Sequence, residues 1–198
     1  MSAEAMYRRL ADRLRNRPAL PPLRPEHVWH PGLDAEIAAL PLPELAGGRA
    51  DGPDCAAALT ALLHLWNDSL DAAHDRVQHL ATPTGSALHG IMHRREGDFD
   101  NAKYWFRRAG DHPAWHGLQS RAAAWLKEAA ASRGWPAGAI GQGFRTIASQ
   151  GMWNPYLFTD LAAMADGRDE ADGAVSMLVE LQVQELVAFL RYLESRLL

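Results

Sequence analysis

Apolar residues recur at intervals of three and four along most of the chain, which is the spacing of one face of an α-helix. The pattern predicts seven main helices, over residues 2–16, 54–80, 86–95, 99–109, 113–133, 154–165 and 174–198, and a short one over 33–40. No segment has the pattern of a strand. We therefore expect an all-α fold, a single-domain compact bundle of about seven helices over residues 1–198.

Proline and glycine interrupt this pattern in two places. Prolines are concentrated in residues 17–53, which also contain the pair Gly47–Gly48. That composition predicts an extended, Pro/Gly-rich N-terminal arm packed on the core. Five glycines fall within residues 134–151. We expect this second segment to be a flexible loop or lid.

The last predicted helix is apolar over an unusually wide face. Steps of four and three connect Val179, Val183, Leu186, Leu190, Leu193 and Leu197. This is a seam of heptad type, and Val187, Phe189 and Leu198 widen it. The helix is therefore either the central core helix or part of a homodimer interface.

Composition and charge exclude several classes of protein. The chain has 198 residues, with 20 Lys and Arg against 24 Asp and Glu, which gives a formal net charge of −4. This acidic balance argues against nucleic-acid binding. Cys55 is the only cysteine, so a disulfide scaffold and a cysteine-based zinc site are excluded. No run of 18 apolar residues predicts a membrane span, and we expect a cytoplasmic protein.

Histidines and carboxylates concentrate in the first predicted helical hairpin. On the helix over 54–80, steps of three and four place one stripe of side chains, His64, Asp68, Asp71 and Asp75. The following helix carries His89, His93 and Glu96 at the same steps. If the turn centres near residue 82, antiparallel pairing brings Asp75 beside His89 or Gly90, and Asp71 beside His93.

Two imidazoles one helical turn apart can bind one metal ion. We expect a divalent metal, Zn, Fe or Mn, held by His89 and His93 with Asp71 or His74. Glu96 would then activate water. Without a metal, His93 and Asp71 form the candidate acid–base pair. The alternative is that these side chains form solvated helix faces or a buried hydrogen-bond network.

A dense run of charged and aromatic residues, 93–108, follows the histidines. Tyr104 lies near Arg107 on the predicted helix, where it could act as an acid or an oxyanion donor. Arginines can bind a carboxylate or phosphate, although ion pairs with neighbouring acids are the simpler expectation. The candidate ligand-binding residues are Asp68, Arg94, Arg95, Arg108, Trp66 and Trp105.

Two resemblances to known families extend this reading. The segment 60–116, with Trp66-Asn67-Asp68, His74, His89 and the run from His93 to Pro113, resembles a family of uncharacterised bacterial and fungal proteins. That resemblance implies a shared motif and no catalytic role. The run Gly97–Gly110 resembles the second half of a Sel1- or tetratricopeptide-type repeat, whose families stack helix pairs into interaction scaffolds. The chain contains one such unit without a second copy.

Two functions are compatible with these patterns. The first is a small-molecule enzyme or ligand-binding protein with a His/Asp/Glu/Arg pocket on the helical hairpin, performing metal-assisted hydrolysis or lyase chemistry. The alternative is a non-catalytic helical interaction module, dimeric through its last helix. We expect a small-molecule ligand as the partner in the first case, and neither nucleic acid nor membrane in either case.

Overall fold

A computed structural model describes residues 2–169 and 171–198. Over these residues the chain forms eleven helices and no strand, so the all-α prediction is confirmed. The helices are α1 (Ala3–Arg15), α2 (Pro31–Ala38), α3 (Leu42–Ala46), α4 (Gly52–Trp66), α5 (Leu70–Val77), α6 (Pro83–Glu96), α7 (Phe99–Ala109), α8 (Pro113–Arg133), α9 (Gly138–Ser149), α10 (Pro155–Ala165) and α11 (Gly173–Leu197). The expected number of about seven helices was too low, because one predicted helix is divided and both Pro/Gly-rich segments are partly helical.

The core is built around α11, which packs against α8, α4 and α10. Leu178, Leu186 and Leu190 on this helix are completely buried. In the described part of the chain, α11 is the one helix long and apolar enough to cross a membrane. However, 61% of its apolar window is buried inside the fold, as in the core helix of a globular protein.

The N-terminal arm is partly helical: α2 corresponds to the short helix predicted over 33–40, whereas α3 was not predicted. Pro31 begins α2, where a missing N–H costs nothing. The arm is attached to the core through its backbone. Gln182 donates its side-chain amide to the carbonyls of Pro21 and Pro22, at 3.2 and 2.9 Å. The Trp29 N–H donates to the Asn67 carbonyl at 2.9 Å. The arm therefore covers α11 and the end of α4.

The predicted long helix over 54–80 is wrong: it is two helices, α4 and α5, separated at residues 67–69. Asp68 has a left-handed backbone with φ of +61°. Asp34, from α2, holds the break by accepting hydrogen bonds from the Asn67 amide at 2.9 Å and the Ser69 hydroxyl at 2.7 Å. The single stripe expected for His64, Asp68, Asp71 and Asp75 therefore does not exist, because α5 is no longer continuous with α4.

The predicted glycine-rich loop or lid over 134–151 is also wrong, because α9 spans most of it. Ile140, Phe144 and Ile147 pack into the core from this helix. The glycines allow close approach rather than mobility. A Cβ atom on Gly141 would lie 1.7 Å from the Pro136 carbonyl oxygen, and one on Gly143 would lie 2.3 Å from a Leu161 methyl.

Side-chain caps mark several of the helix starts. Asp98 accepts the Asn101 N–H at the start of α7, and Asn154 accepts two backbone N–H groups at the start of α10. Both residue types are preferred at this position because their side chains satisfy otherwise unpaired donors. The helix predicted to begin at residue 54 begins two residues earlier, at Gly52.

Candidate functional site

Three imidazoles converge where α5 packs against α6. His74 comes from α5, and His89 and His93 lie one turn apart on α6. Their candidate ligand atoms all lie within 4.8 Å of one another. The ring centroids are 4.8 Å apart for His89 and His93, 4.9 Å for His74 and His89, and 5.7 Å for His74 and His93. We call these three residues the histidine cluster.

His89 is the central member of the histidine cluster. It is 3% exposed, and neither of its ring nitrogens has a hydrogen-bond partner among the described residues. Its ring stacks on Trp105, with centroids 3.9 Å apart and planes inclined by 15°. Burial, together with the nearby His93 and His74, lowers the pKa of His89 to about 3. The imidazole is therefore neutral at physiological pH and retains a free lone pair.

His93 is oriented through both of its ring nitrogens. Nδ1 lies 3.0 Å from Glu96 Oε2, and Nε2 lies 3.1 Å from Asn101 Nδ2. Because the Asn101 amide nitrogen can only donate, we assign Nε2 as the acceptor and Nδ1 as the protonated nitrogen that donates to Glu96. Asn101 was not among the expected site residues. Its only signal in the sequence is its position in the first turn of α7, which directly follows α6.

The structure does not bring the expected aspartates to the histidine cluster. Asp71 and Asp75 are exposed on α5, and Asp71 makes no hydrogen bond to His93 within the described residues. The break before α5 places His74, instead of an aspartate, against α6. The candidate acid–base pair of His93 with Asp71 is thus replaced by His93 with Glu96, whose side chain is 47% exposed.

Three expected ligand-binding residues are buried in ion pairs. Asp68 accepts from Arg95 Nη2 at 2.6 Å and from Arg17 Nη2 at 2.7 Å. Arg94 pairs with the buried carboxylate of Glu185. Arg94 and Arg95 are therefore in ion pairs, as the simpler expectation had it, but the expected neighbouring acids are wrong: the partners are the distant Glu185 and Asp68. Trp66 is a core residue, only 3% exposed.

The remaining expected residues form an outer layer over the histidine cluster. The Arg108 guanidinium lies 5.4 Å from the ring centroid of Trp105, which in turn covers His89. Tyr104 is exposed and meets Trp105 edge-on, with ring centroids 5.5 Å apart. The order from solvent inward is therefore guanidinium, indole and imidazole. Such stacking excludes water from one side of the cluster.

Comparisons with known proteins add no family to this geometry. No protein-family model, no curated protein and no solved structure matches the chain. The candidate site therefore rests on its own residues alone.

Proposed function

We propose that the histidine cluster binds one divalent transition-metal ion and that the protein uses it for metal-assisted hydrolysis or lyase chemistry on a small molecule. The observation that carries the proposal is the meeting of three imidazoles whose ligand atoms lie within 4.8 Å of one another. Catalytic zinc sites commonly have three protein ligands and leave a further position for water or substrate.

The state of His89 supports a metal rather than a simple packing role. A buried polar group without a partner costs free energy, and both ring nitrogens of His89 are in this condition. A metal ion takes the lone pair of one nitrogen. Ligation also requires a neutral imidazole, and burial already keeps His89 neutral.

Glu96 and Asn101 fit the surroundings of such a centre. Histidines that ligate metals usually donate their other N–H to a carboxylate, which fixes the tautomer and strengthens the ligand. Glu96 does this for Nδ1 of His93, so Nε2 is the nitrogen available to an ion. The Asn101 amide then gives up its contact with Nε2. Zinc and iron are the preferred ions, because imidazole suits both.

Glu96 would also take part in proton transfer. Its carboxylate reaches from His93 to solvent. A divalent ion held by the three imidazoles supplies Lewis acidity and an activated water. In this scheme Glu96 would hold the tautomer and orientation of His93, and as a partly exposed carboxylate on the Nδ1 side of the ring it would pass the proton released by water on to solvent.

Metal content tests the proposal directly. Protein purified without a polyhistidine tag is analysed for bound elements, alongside His74→Ala, His89→Ala and His93→Ala. We expect close to one zinc or iron per wild-type chain and its loss in each variant. His79→Ala and His116→Ala are matched controls, because both side chains are exposed. Their metal content should equal that of the wild type.

A cluster that holds no metal even after incubation with Zn²⁺ or Fe²⁺ would contradict the proposal. Equal metal content in the control and cluster variants would contradict it as well. The histidine cluster would then be a packing feature between α5 and α6, as the interaction-module hypothesis expects.

A further inference from the structure

A second polar feature lies deeper in the fold than the histidine cluster. Five charged side chains, each at most 5% exposed, form two groups of ion pairs. Arg17 and Arg95 both pair with Asp68, and Arg94 pairs with Glu185. These are three guanidinium groups and two carboxylates, so one positive charge is left over. Asp68 and Glu185 are the only buried acids in the described part of the chain. Buried charges are normally paired, because removing an ion from water is costly.

The surplus charge belongs to the Asp68 group, which includes Arg95, and unused hydrogen-bond donors lie on Arg95 and on its chain neighbour Arg94. Nε and Nη1 of Arg94 and Nε of Arg95 are buried and have no partner among residues 2–169 and 171–198. One face of the Arg94 guanidinium is covered by Phe158, 4.5 Å from the ring centroid. Its remaining donors are therefore held in place without an acceptor, which is the arrangement expected of a site prepared for an anion.

These arginines adjoin a cavity in the described structure. Its volume is about 660 Å³, which is within the usual range of small-molecule sites. The arm, the end of α6, the end of α10 and the first turns of α11 enclose it. Arg94 and Arg95 line its polar side, whereas Leu23, Phe99, Ala162 and Val179 supply apolar walls. At the exposed rim, Arg24 and Asp166 form an ion pair at 2.7 Å.

We infer that this cavity binds a small monocarboxylic acid with an apolar body, and we call it the carboxylate cavity. The carboxylate accepts hydrogen bonds from Arg94 and Arg95, and its charge offsets the one surplus positive charge, which arises because Arg95 and Arg17 share Asp68. A phosphate group carries more than one negative charge at neutral pH and fits that balance less well. The aliphatic and aromatic walls take the apolar body of the ligand out of water.

The carboxylate cavity is distinct from the histidine cluster and does not require a bound metal. None of the three imidazoles lines it. Glu96 is the one residue that connects the two sites, because it lines the cavity and also accepts a hydrogen bond from His93. Ligand binding measured on protein treated with a chelator therefore tests the cavity by itself.

Octanoate is the probe for this test, measured by isothermal titration calorimetry on chelator-treated full-length protein. The neutral control is 1-octanol, and inorganic phosphate is the second anion. We expect saturable one-to-one binding of octanoate, at least tenfold tighter than either control. A loss of about tenfold corresponds to one hydrogen bond to a charged group. Equal binding of octanoate and 1-octanol, or binding of phosphate alone, would overturn the inference.

Two variants locate the binding. Arg94→Gln with Glu185→Gln removes both members of an ion pair, so no buried charge is orphaned. The amide oxygen that this exchange leaves at position 185 can still accept from Trp153, as the Glu185 carboxylate does. Ala162→Phe fills the cavity without touching a charge. Each variant should weaken octanoate binding at least tenfold while retaining a cooperative thermal transition.

Met152→Ala, at an exposed site outside the cavity, is the control for both variants. It should bind octanoate as the wild type does. Unchanged affinity in the two folded cavity variants would contradict the inference.

Discussion

Two buried histidines show how differently a protein can use the same side chain. His112 is 1% exposed and satisfied on both sides: its Nδ1 accepts the Ala114 N–H at 3.1 Å, and its Nε2 lies 3.0 Å from the Thr84 hydroxyl. His89 is similarly buried, but both of its nitrogens are free of partners among the described residues. His112 is therefore a structural N-cap of α8, whereas His89 is available for ligation.

The buried His112 makes the free energy of unfolding depend on pH. Burial, with a smaller contribution from His116 against the opposing effect of Asp111, lowers the pKa of His112 to about 4. Between pH 6.5 and 4, the unfolded chain binds a proton here and the folded protein does not. Stability therefore falls as the pH falls through this window, by up to about 3 kcal/mol. Urea unfolding of chelator-treated protein at pH 7 and pH 4.5 measures the effect.

Two variants isolate the contribution of His112. His112→Asn keeps a capping oxygen but does not titrate, so its loss of stability on acidification should be smaller by most of that amount. His116→Asn changes an exposed side chain and should retain nearly the full dependence. If His112→Asn and the wild type lose the same stability, the assigned cause is wrong.

At the residue scale, the sequence alone identified the histidines of the site but not the side chains that lie beside them. The steps of three and four correctly placed His89 and His93 on one face of α6. His74 was considered as a third ligand, yet Asp71 was given the place opposite His93. The error arose because the rotation of α5 depends on Asp34 and Asp68, whose partners are distant in the chain.

At the scale of elements, helix ends were predictable where a local cap sets them and unpredictable where tertiary packing does. Asp98 and Asn154 mark their helices within a few residues. The break at Asp68 and the helix α9 have no such signal. Glycine-rich sequence usually indicates a loop, but in α9 the apolar residues Ile140, Phe144 and Ile147 outweigh it by burying a complete face.

Glycine-to-alanine exchanges test this reading of α9. Helix propensity alone predicts that both Gly141→Ala and Gly117→Ala stabilise their helices by up to about 1 kcal/mol. At Gly141 a Cβ atom would collide with the Pro136 carbonyl oxygen, at 1.7 Å. We therefore expect Gly141→Ala to destabilise by about 1–3 kcal/mol. Chemical unfolding compares the two variants.

Gly117→Ala is the matched control for that exchange. Its Cβ would meet only the mobile end of the Arg121 side chain, at 3.0 Å. Gly117 lies inside α8 and is exposed, so the substitution should be neutral or stabilising. A stabilised Gly141→Ala protein would show that the turn before α9 is free to move away.

At the scale of the whole molecule, one carboxylate joins three distant segments. Asp68 binds Arg17 of the arm and Arg95 of α6. Fold class was readable from the sequence because helical periodicity is local. This connection was not, because it links residues 51 and 27 positions apart. The sequence accordingly predicted an arm lying on the core but not the charges that fasten it.

Asp68→Asn tests the strength of this connection. Asparagine tolerates the left-handed backbone at this position, so the exchange removes the charge and leaves the turn. Two buried guanidinium groups then lose their counter-ion, and we expect a destabilisation of about 3–5 kcal/mol in urea unfolding. Asp71→Asn, three residues away and exposed, should change stability by less than about 0.5 kcal/mol. Similar values for the two variants would contradict the role assigned to Asp68.

The attachment of the arm also sets an order of events during synthesis. The carbonyl of Pro22 leaves the ribosome 160 residues before its partner, Gln182. At translation rates of about 5–20 residues per second, the arm waits roughly 8–30 s for that partner. Prolines keep a waiting segment from pairing as the edge of a sheet. The prolines of the arm therefore disfavour such strand pairing until Gln182 has been synthesised.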